Sequence, residues 1–327
     1  MKKHLIALGF IATLALSGCV EVVESEDSLE EPHDVVWVTP TGIPTLAFYD
    51  QGDNPNWTSY PNATDVAVAF ATDDVDAIVF DGLSGLTNIK NNNRNYIFAR
   101  WISGGTFYLV STKHTSLTDY EPGQTVDAFV RTGNAAMAFN KLAESHWNWS
   151  NYSDNVTYET GVASVKEHLE NNPESFDYYL IAQPVLFAST NALAAKGITL
   201  NVVANLQTEW SAYTDGGSIP AAALFLNKSK FAKYPNALSW FVLGVDLRIG
   251  TAVDDPATAV TELNKFTGNF GQRFGFQPAV VNALQSNGKN GFGLTKVDSI
   301  SDPRGLVNSF ASSLGLDIQF DSSLFIQ

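Results

Sequence analysis

An α/β fold of largely parallel sheets, closed by a helical tail, is what this sequence predicts. Three observations carry it. Short apolar runs alternate with helix-like segments from Val35 to Leu226. Strand signals then fade. Four later segments each start at or near a proline and read as helix. Strand–helix–strand alternation marks parallel sheets flanked by helices. Proline suits a first helical turn, where its missing N–H would have no partner anyway.

The apolar runs place strands at Val35–Thr39, Ala77–Phe80, Tyr96–Ile102, Phe107–Ser111, Val126–Val130, Thr157–Glu159, Tyr178–Ile181, Leu200–Val203 and Ala221–Leu226. Between them, helical spacing or helix-favouring residues place helices at Ala63–Ala69, Leu83–Lys90, Asn134–His146, Val162–Glu170 and Val185–Lys196. The tail helices are expected at Pro235–Thr251, Pro256–Phe266, Pro278–Ser286 and Pro303–Leu314. No internal repeat is visible.

The chain opens with Lys2 and Lys3, an apolar run from Leu5 to Leu16, and Leu16-Ser17-Gly18-Cys19. A basic start, a short apolar stretch and small residues form a secretory signal, and the run is too short to span a bilayer as a mature helix. Leu-Ser-Gly-Cys has the pattern of a bacterial lipobox. Residues 1–18 are therefore expected to be removed and Cys19, the sole cysteine, to carry lipid, palmitate included. A single thiol forms no internal disulfide, so it serves as a tether. Residues 19–34 hold seven acids and Pro32, and read as an acidic spacer without a core of its own.

The remaining 309 residues suffice for two domains. The formal charge of −15 becomes −17 without Lys2 and Lys3. That excess excludes nucleic acid as a partner, because no surplus of Lys and Arg exists to replace counterions. It also excludes electrostatic adhesion to anionic lipid heads, leaving the lipid itself as the membrane attachment.

Catalytic and metal patterns are missing. His33, His114, His146 and His168 are scattered, with no paired-ligand spacing. Gly82-Leu83-Ser84-Gly85 falls short of a nucleophile elbow, since Leu86 stands where the closing glycine belongs. No phosphate loop occurs. The expectation is a non-enzyme without cofactor or metal.

What recurs is a turn of small residues between a strand and a helix. The four cases are residues 39–44, Asp81-Gly82-Leu83-Ser84-Gly85, Arg131-Thr132-Gly133-Asn134-Ala135, and Ala182-Gln183-Pro184. Ligands of parallel α/β sheets bind beyond the carboxyl ends of strands. Helix-start N–H groups point outward there, and glycine permits close backbone approach. The four turns together predict a binding cleft.

The chain resembles the solute-binding lipoproteins of ABC transporters with the type II periplasmic-binding fold, and is similar to their thiamine-precursor (pyrimidine) and sulfonate-type branch. The carriers are Pro40-Thr41-Gly42-Ile43-Pro44-Thr45-Leu46-Ala47-Phe48-Tyr49, Val75–Phe80 leading into Gly82-Leu83, Phe107–Val110, Thr132-Gly133-Asn134, Tyr179–Val185, and Leu206–Trp210 before Ser218-Ile219-Pro220. The resemblance covers most of residues 35–326. It implies two lobes, residues 35–115 with 215–327 and residues 116–214, joined by two crossing strands. It further implies a small-molecule solute held between the lobes, delivery to an ABC permease, and a monomer lipid-anchored on the extracytoplasmic face of the cell membrane. Gln183 stands where the family often has Glu, which removes a charge from the site.

Thr41, Gly42, Gly82 and Ser84 are expected to face Thr132, Gly133, Asn134 and Gln183 across the cleft. Tyr49, Tyr108 and Trp210 are candidate stacking platforms for a flat ring, aromatic or heterocyclic. Arg131 is a candidate positive charge for a carboxylate or sulfonate. The alternative is a surface lipoprotein that binds a macromolecular partner without transport, with a shallow or plugged cleft and an exposed apolar patch.

Overall fold

The computed structural model describes residues 32–285 and 290–326. Cys19, the signal segment and most of the acidic spacer lie outside the described residues. The spacer ends earlier than expected, because His33 already stacks on Tyr234 with ring centroids 3.9 Å apart.

In chain order the first elements are β1 (Trp37–Pro40), β2 (Trp57–Tyr60), α1 (Ala63–Thr72), β3 (Ala77–Asp81), α2 (Gly82–Asn92), β4 (Tyr96–Trp101) and β5 (Phe107–Ser111). Next come β6 (Val126–Phe129), α3 (Asn134–Ser145), β7 (Val156–Glu159), α4 (Val162–Asn171), β8 (Tyr178–Ala182), α5 (Val185–Ala194), β9 (Asn201–Asn205) and α6 (Leu206–Tyr213). The chain continues through β10 (Ala222–Asn227), α7 (Lys228–Lys233), α8 (Pro235–Asp254), α9 (Pro256–Leu263), α10 (Phe270–Arg273), α11 (Pro278–Gln285) and α12 (Pro303–Ser313). Each of the four tail helices expected from sequence begins at its proline.

Two five-stranded sheets form, in the orders β2-β1-β3-β10-β4 and β7-β6-β8-β5-β9. They are mixed: in each, four strands run the same way, as expected, and one runs against them. β10 runs antiparallel to β3 and β4, and β5 runs antiparallel to β8 and β9. The cause is connectivity. β5 enters its sheet from β4 of the other, and β10 returns from the second sheet to the first, so each arrives against the direction of the βαβ units. Residues 102–105 and 219–222 make these passages side by side: Gly105 N–H donates to the Ile219 carbonyl at 2.9 Å and Ala221 N–H to the Ser103 carbonyl at 3.1 Å. Since β5 already belongs to the second sheet, the first passage falls ahead of the division at 115/116 expected from sequence.

Burial follows from composition. β10, Ala-Ala-Leu-Phe-Leu-Asn, is buried along its length, as a central strand covered on both faces must be. Its side chains alternate: Ala223 and Phe225 join one apolar cluster, Leu224 and Leu226 the other. β2 escaped the sequence reading because Trp57-Thr58-Ser59-Tyr60 is a short, half-polar edge strand. It is held by its tryptophan, whose Nε1 donates to Thr39 Oγ1 inside the protein. Gly82 opens α2 against Trp101, where a Cβ would lie 2.0 Å from the indole. Its role is this close packing. On α8, Leu238, Val245 and Ile249 face the core, while Trp240, Leu243 and Leu247 are exposed.

Candidate functional site

A cleft of about 380 Å³ opens where the carboxyl ends of β1 and β3 meet those of β6 and β8. All four small-residue turns contribute to it, through Thr41 and Gly42, Asp81, Gly133 and Asn134, and Gln183. The crossing segments add Ser103 and Thr106, and α4 adds Lys166.

The backbone N–H groups that sequence offered to a solute are already engaged. Thr41 N–H donates to the Tyr60 carbonyl and Gly42 N–H to the Phe274 carbonyl, both at 2.8 Å. Gly133 N–H donates to the Val130 carbonyl at 2.7 Å, Gln183 N–H to the Thr106 carbonyl at 3.1 Å and Gly82 N–H to the Ala221 carbonyl at 2.8 Å. Buried amides find partners wherever the chain supplies them; here the local turn serves Gly133, and more distant segments, the tail among them, serve the others.

Ser84 and Thr132 do not line the cleft. They join its two walls: the Ser84 hydroxyl donates to the Thr132 carbonyl at 3.2 Å. The stacking candidates also lie elsewhere. Tyr49 is 6 % exposed in the core beneath β1, and Trp210 is 1 % exposed with its ring 5.0 Å from Phe310. Tyr108 packs on the far face of its strand with Tyr179 and Ile181. Its neighbour Phe107 lines the cleft instead, since adjacent strand residues point to opposite faces. Phe80 and Phe129, at the carboxyl ends of β3 and β6, complete an aromatic lining that the sequence reading missed. The available signal was their position one and two residues ahead of two of the turns. Arg131 is exposed and lies over the Tyr158 ring, 5.5 Å from its centre, away from the lining.

Among the described residues, two polar atoms of the lining are buried without a hydrogen-bond partner: Asn134 Oδ1 and Thr106 Oγ1. Asn134 is 1 % exposed and Thr106 is 6 % exposed. The Asn134 amide orientation is determined, because its Nδ2 donates to the Pro220 carbonyl at 2.7 Å and that carbonyl only accepts. Asn134 Oδ1 is thus an acceptor that awaits a donor. An unpartnered buried polar group costs about 1–3 kcal/mol, a cost that a ligand recovers by pairing with it.

Two charged side chains reach the lining among the described residues. Lys166 is bound to Glu170 at 2.8 Å. Asp81 caps α2 by accepting from Ser84 N–H at 2.9 Å, and reaches across the cleft to accept from Asn134 N–H at 3.2 Å. Burial pushes the Asp81 carboxyl up to about 6, against these hydrogen bonds. The folded chain therefore holds this proton more tightly than the unfolded chain, whose carboxyl titrates near 3.8. Stability is greatest below that lower value and falls as pH rises through the window to about 6. We expect Asp81→Asn to remove about 2 kcal/mol of this pH dependence, allowing for partial solvent screening. Denaturant unfolding of both proteins at pH values below and above the window checks it; parallel profiles would show that Asp81 is not the group responsible.

No protein-family model matches the sequence, and no curated protein matches it. Solved structures do match its fold. An ABC transporter protein from Parabacteroides distasonis superposes with a TM-score of 0.63 at 14% identity, over 90% of this chain and 99% of that one. The zinc-bound ligand-binding component of an ABC-type import system from Staphylococcus aureus gives 0.66 at 10% identity, over 90% and 97%. The periplasmic aliphatic sulphonate binding protein SsuA from Escherichia coli gives 0.57 at 9% identity, over 90% and 100%. The chain thus has the fold of the periplasmic binding proteins of ABC transporters, as the resemblance implied.

Proposed function

We propose that this protein is the solute-capturing component of an ABC importer, a non-enzymatic monomer held on the extracytoplasmic face of the membrane by lipid on Cys19. Its solute is a compact, mostly apolar organic molecule, aromatic or heterocyclic, that presents an N–H to Asn134 Oδ1 and a polar atom to Thr106 Oγ1. The observation that carries this reading is the pair of unpartnered buried polar atoms in a cleft walled by Phe80, Phe107 and Phe129. Few convergent polar groups on an apolar lining are the usual composition of a small-molecule site. Thr41, Gly42, Gly133 and Gln183 shape the cleft walls in this reading.

A sulfonate, the ligand class of the Escherichia coli neighbour, suits this cleft poorly. Its one lining lysine is already paired with Glu170, and Asp81 faces the same space. The alternative of a lipoprotein that captures only a macromolecule called for a shallow or plugged cleft, and the 380 Å³ opening argues against it. A thermal-shift panel of neutral N–H heterocycles against alkanesulfonates tests the solute class. Stabilisation by heterocycles supports it; stabilisation by sulfonates alone would reverse it. For the anchor, Cys19→Ala is expected to move the protein from the membrane to the soluble fraction. An unchanged membrane fraction would contradict the lipid attachment.

A further inference from the structure

Outside the cleft, the fold brings together three side chains that are far apart in sequence. Asp127 lies on β6, Glu159 ends the neighbouring β7, and His168 lies on α4, which packs against this sheet. His168 Nδ1 is 2.9 Å from Asp127 Oδ2 and 3.9 Å from Glu159 Oε1. One ligand atom from each of the three lies within 4.8 Å of the other two. We propose that Asp127, Glu159 and His168 form a binding site for a divalent transition-metal ion of the zinc type, which ties α4 to the β6–β7 edge.

Three arguments support the assignment. The first is geometry. A tetrahedral ion with bonds of about 2.0 Å sets its ligand atoms about 3.3 Å apart, and the observed 2.9 and 3.9 Å bracket that spacing. The second is an unmet polar atom. The Asp127 side chain is fully buried, and its Oδ1 has no hydrogen-bond partner among the described residues. A simple His168–Asp127 pair satisfies Oδ2 and leaves Oδ1 stranded, whereas a divalent cation accepts lone pairs from both oxygens. The third is chemistry and access. One imidazole with two carboxylates suits zinc among the divalent ions. His168 is 39 % exposed on its side chain and Glu159 is 23 % exposed, so the ion can enter from solvent. The site does not depend on the identity of the solute. Its mechanical consequence reaches the cleft, because the start of α4 at Val162 and Ala163 lines the wall.

The test uses the chelator-treated full chain titrated with Zn²⁺ alone, by calorimetry and by thermal unfolding. One saturable equivalent with a rise in Tm is expected, together with a loss of affinity of about a hundredfold in His168→Asn, which retains a hydrogen bond to Asp127. The Co²⁺-loaded wild-type chain supplies a readout that needs no variant: a visible spectrum of nitrogen and oxygen ligation is expected. Absence of saturable binding or equal binding by His168→Asn would each overturn the proposal.

Discussion

Replacing Thr106 with valine and Asn134 with leucine together is expected to weaken solute binding by about a hundredfold. The solute would lose both hydrogen-bond partners and bury its own polar groups unpaired, at about 1–3 kcal/mol each, and each 1.4 kcal/mol is tenfold in affinity. The single variants separate recognition from folding. Thr106→Val keeps the side-chain shape and removes a hydroxyl that has no partner among the described residues. It is expected to raise stability by up to about 1 kcal/mol while lowering affinity about tenfold. Asn134→Leu also loses the Nδ2 bond to the Pro220 carbonyl and is expected to lower both stability and affinity. Denaturant unfolding and binding calorimetry on the same samples check the pair. A Thr106→Val protein with reduced stability and unchanged affinity would make that hydroxyl a structural group.

The second large effect is expected at Arg273, between Gly271 and Gly275 of the cleft lining. Its guanidinium donates to the carbonyls of Gly52, Trp57 and Asn54 at 2.8, 2.6 and 2.7 Å, and lies 4.4 Å from the centre of the Trp57 ring. Five donors in a rigid plane can serve three carbonyls at once, which a lysine ammonium on a flexible stem does poorly. These bonds dock α10 on the β2 edge. They thereby place the Phe274 carbonyl, which accepts from Gly42 N–H and from the Thr45 hydroxyl. They also place Gly275, whose φ of +79° brings the backbone close to Gly42. Arg273→Ala is expected to lower stability by about 3–5 kcal/mol, through the loss of three charge-assisted hydrogen bonds and of the packing on the Trp57 ring. Arg273→Lys is expected to recover less than half of that. Unfolding of an Arg273→Ala protein within about 1 kcal/mol of the parent would show that the tail docks without this side chain.

The residues of this site differ in how far sequence exposed them. The four turns were legible because glycine, proline and small polar residues at strand ends have few other uses. Their engagement was not. That Gly42 donates to Phe274 depends on a tail docked from the other end of the chain, and local pattern carries no trace of that pairing. The choice of Tyr108 over Phe107 missed by one residue. Alternation along β5 settles the matter once its two faces are known, yet both residues are aromatic and both faces are covered. The parallel-sheet expectation failed at β5 and β10 alone, because a strand that crosses between sheets has the same apolar composition as one that does not. The triad of Asp127, Glu159 and His168 was invisible for a related reason. Its spacing of 32 and 9 residues follows from β6, β7 and α4 being neighbours in space, not from a ligand motif.

The central claim is that a solute sits between the two sheets and pairs with Asn134 Oδ1 and Thr106 Oγ1. Its most direct test is calorimetric titration of one stabilising compound from the thermal-shift panel into the wild type and into the Thr106→Val and Asn134→Leu double variant. One binding site per chain in the wild type and an affinity lower by about a hundredfold in the variant is the expected result. Equal affinity in the two proteins would contradict the claim and place the solute outside this cleft.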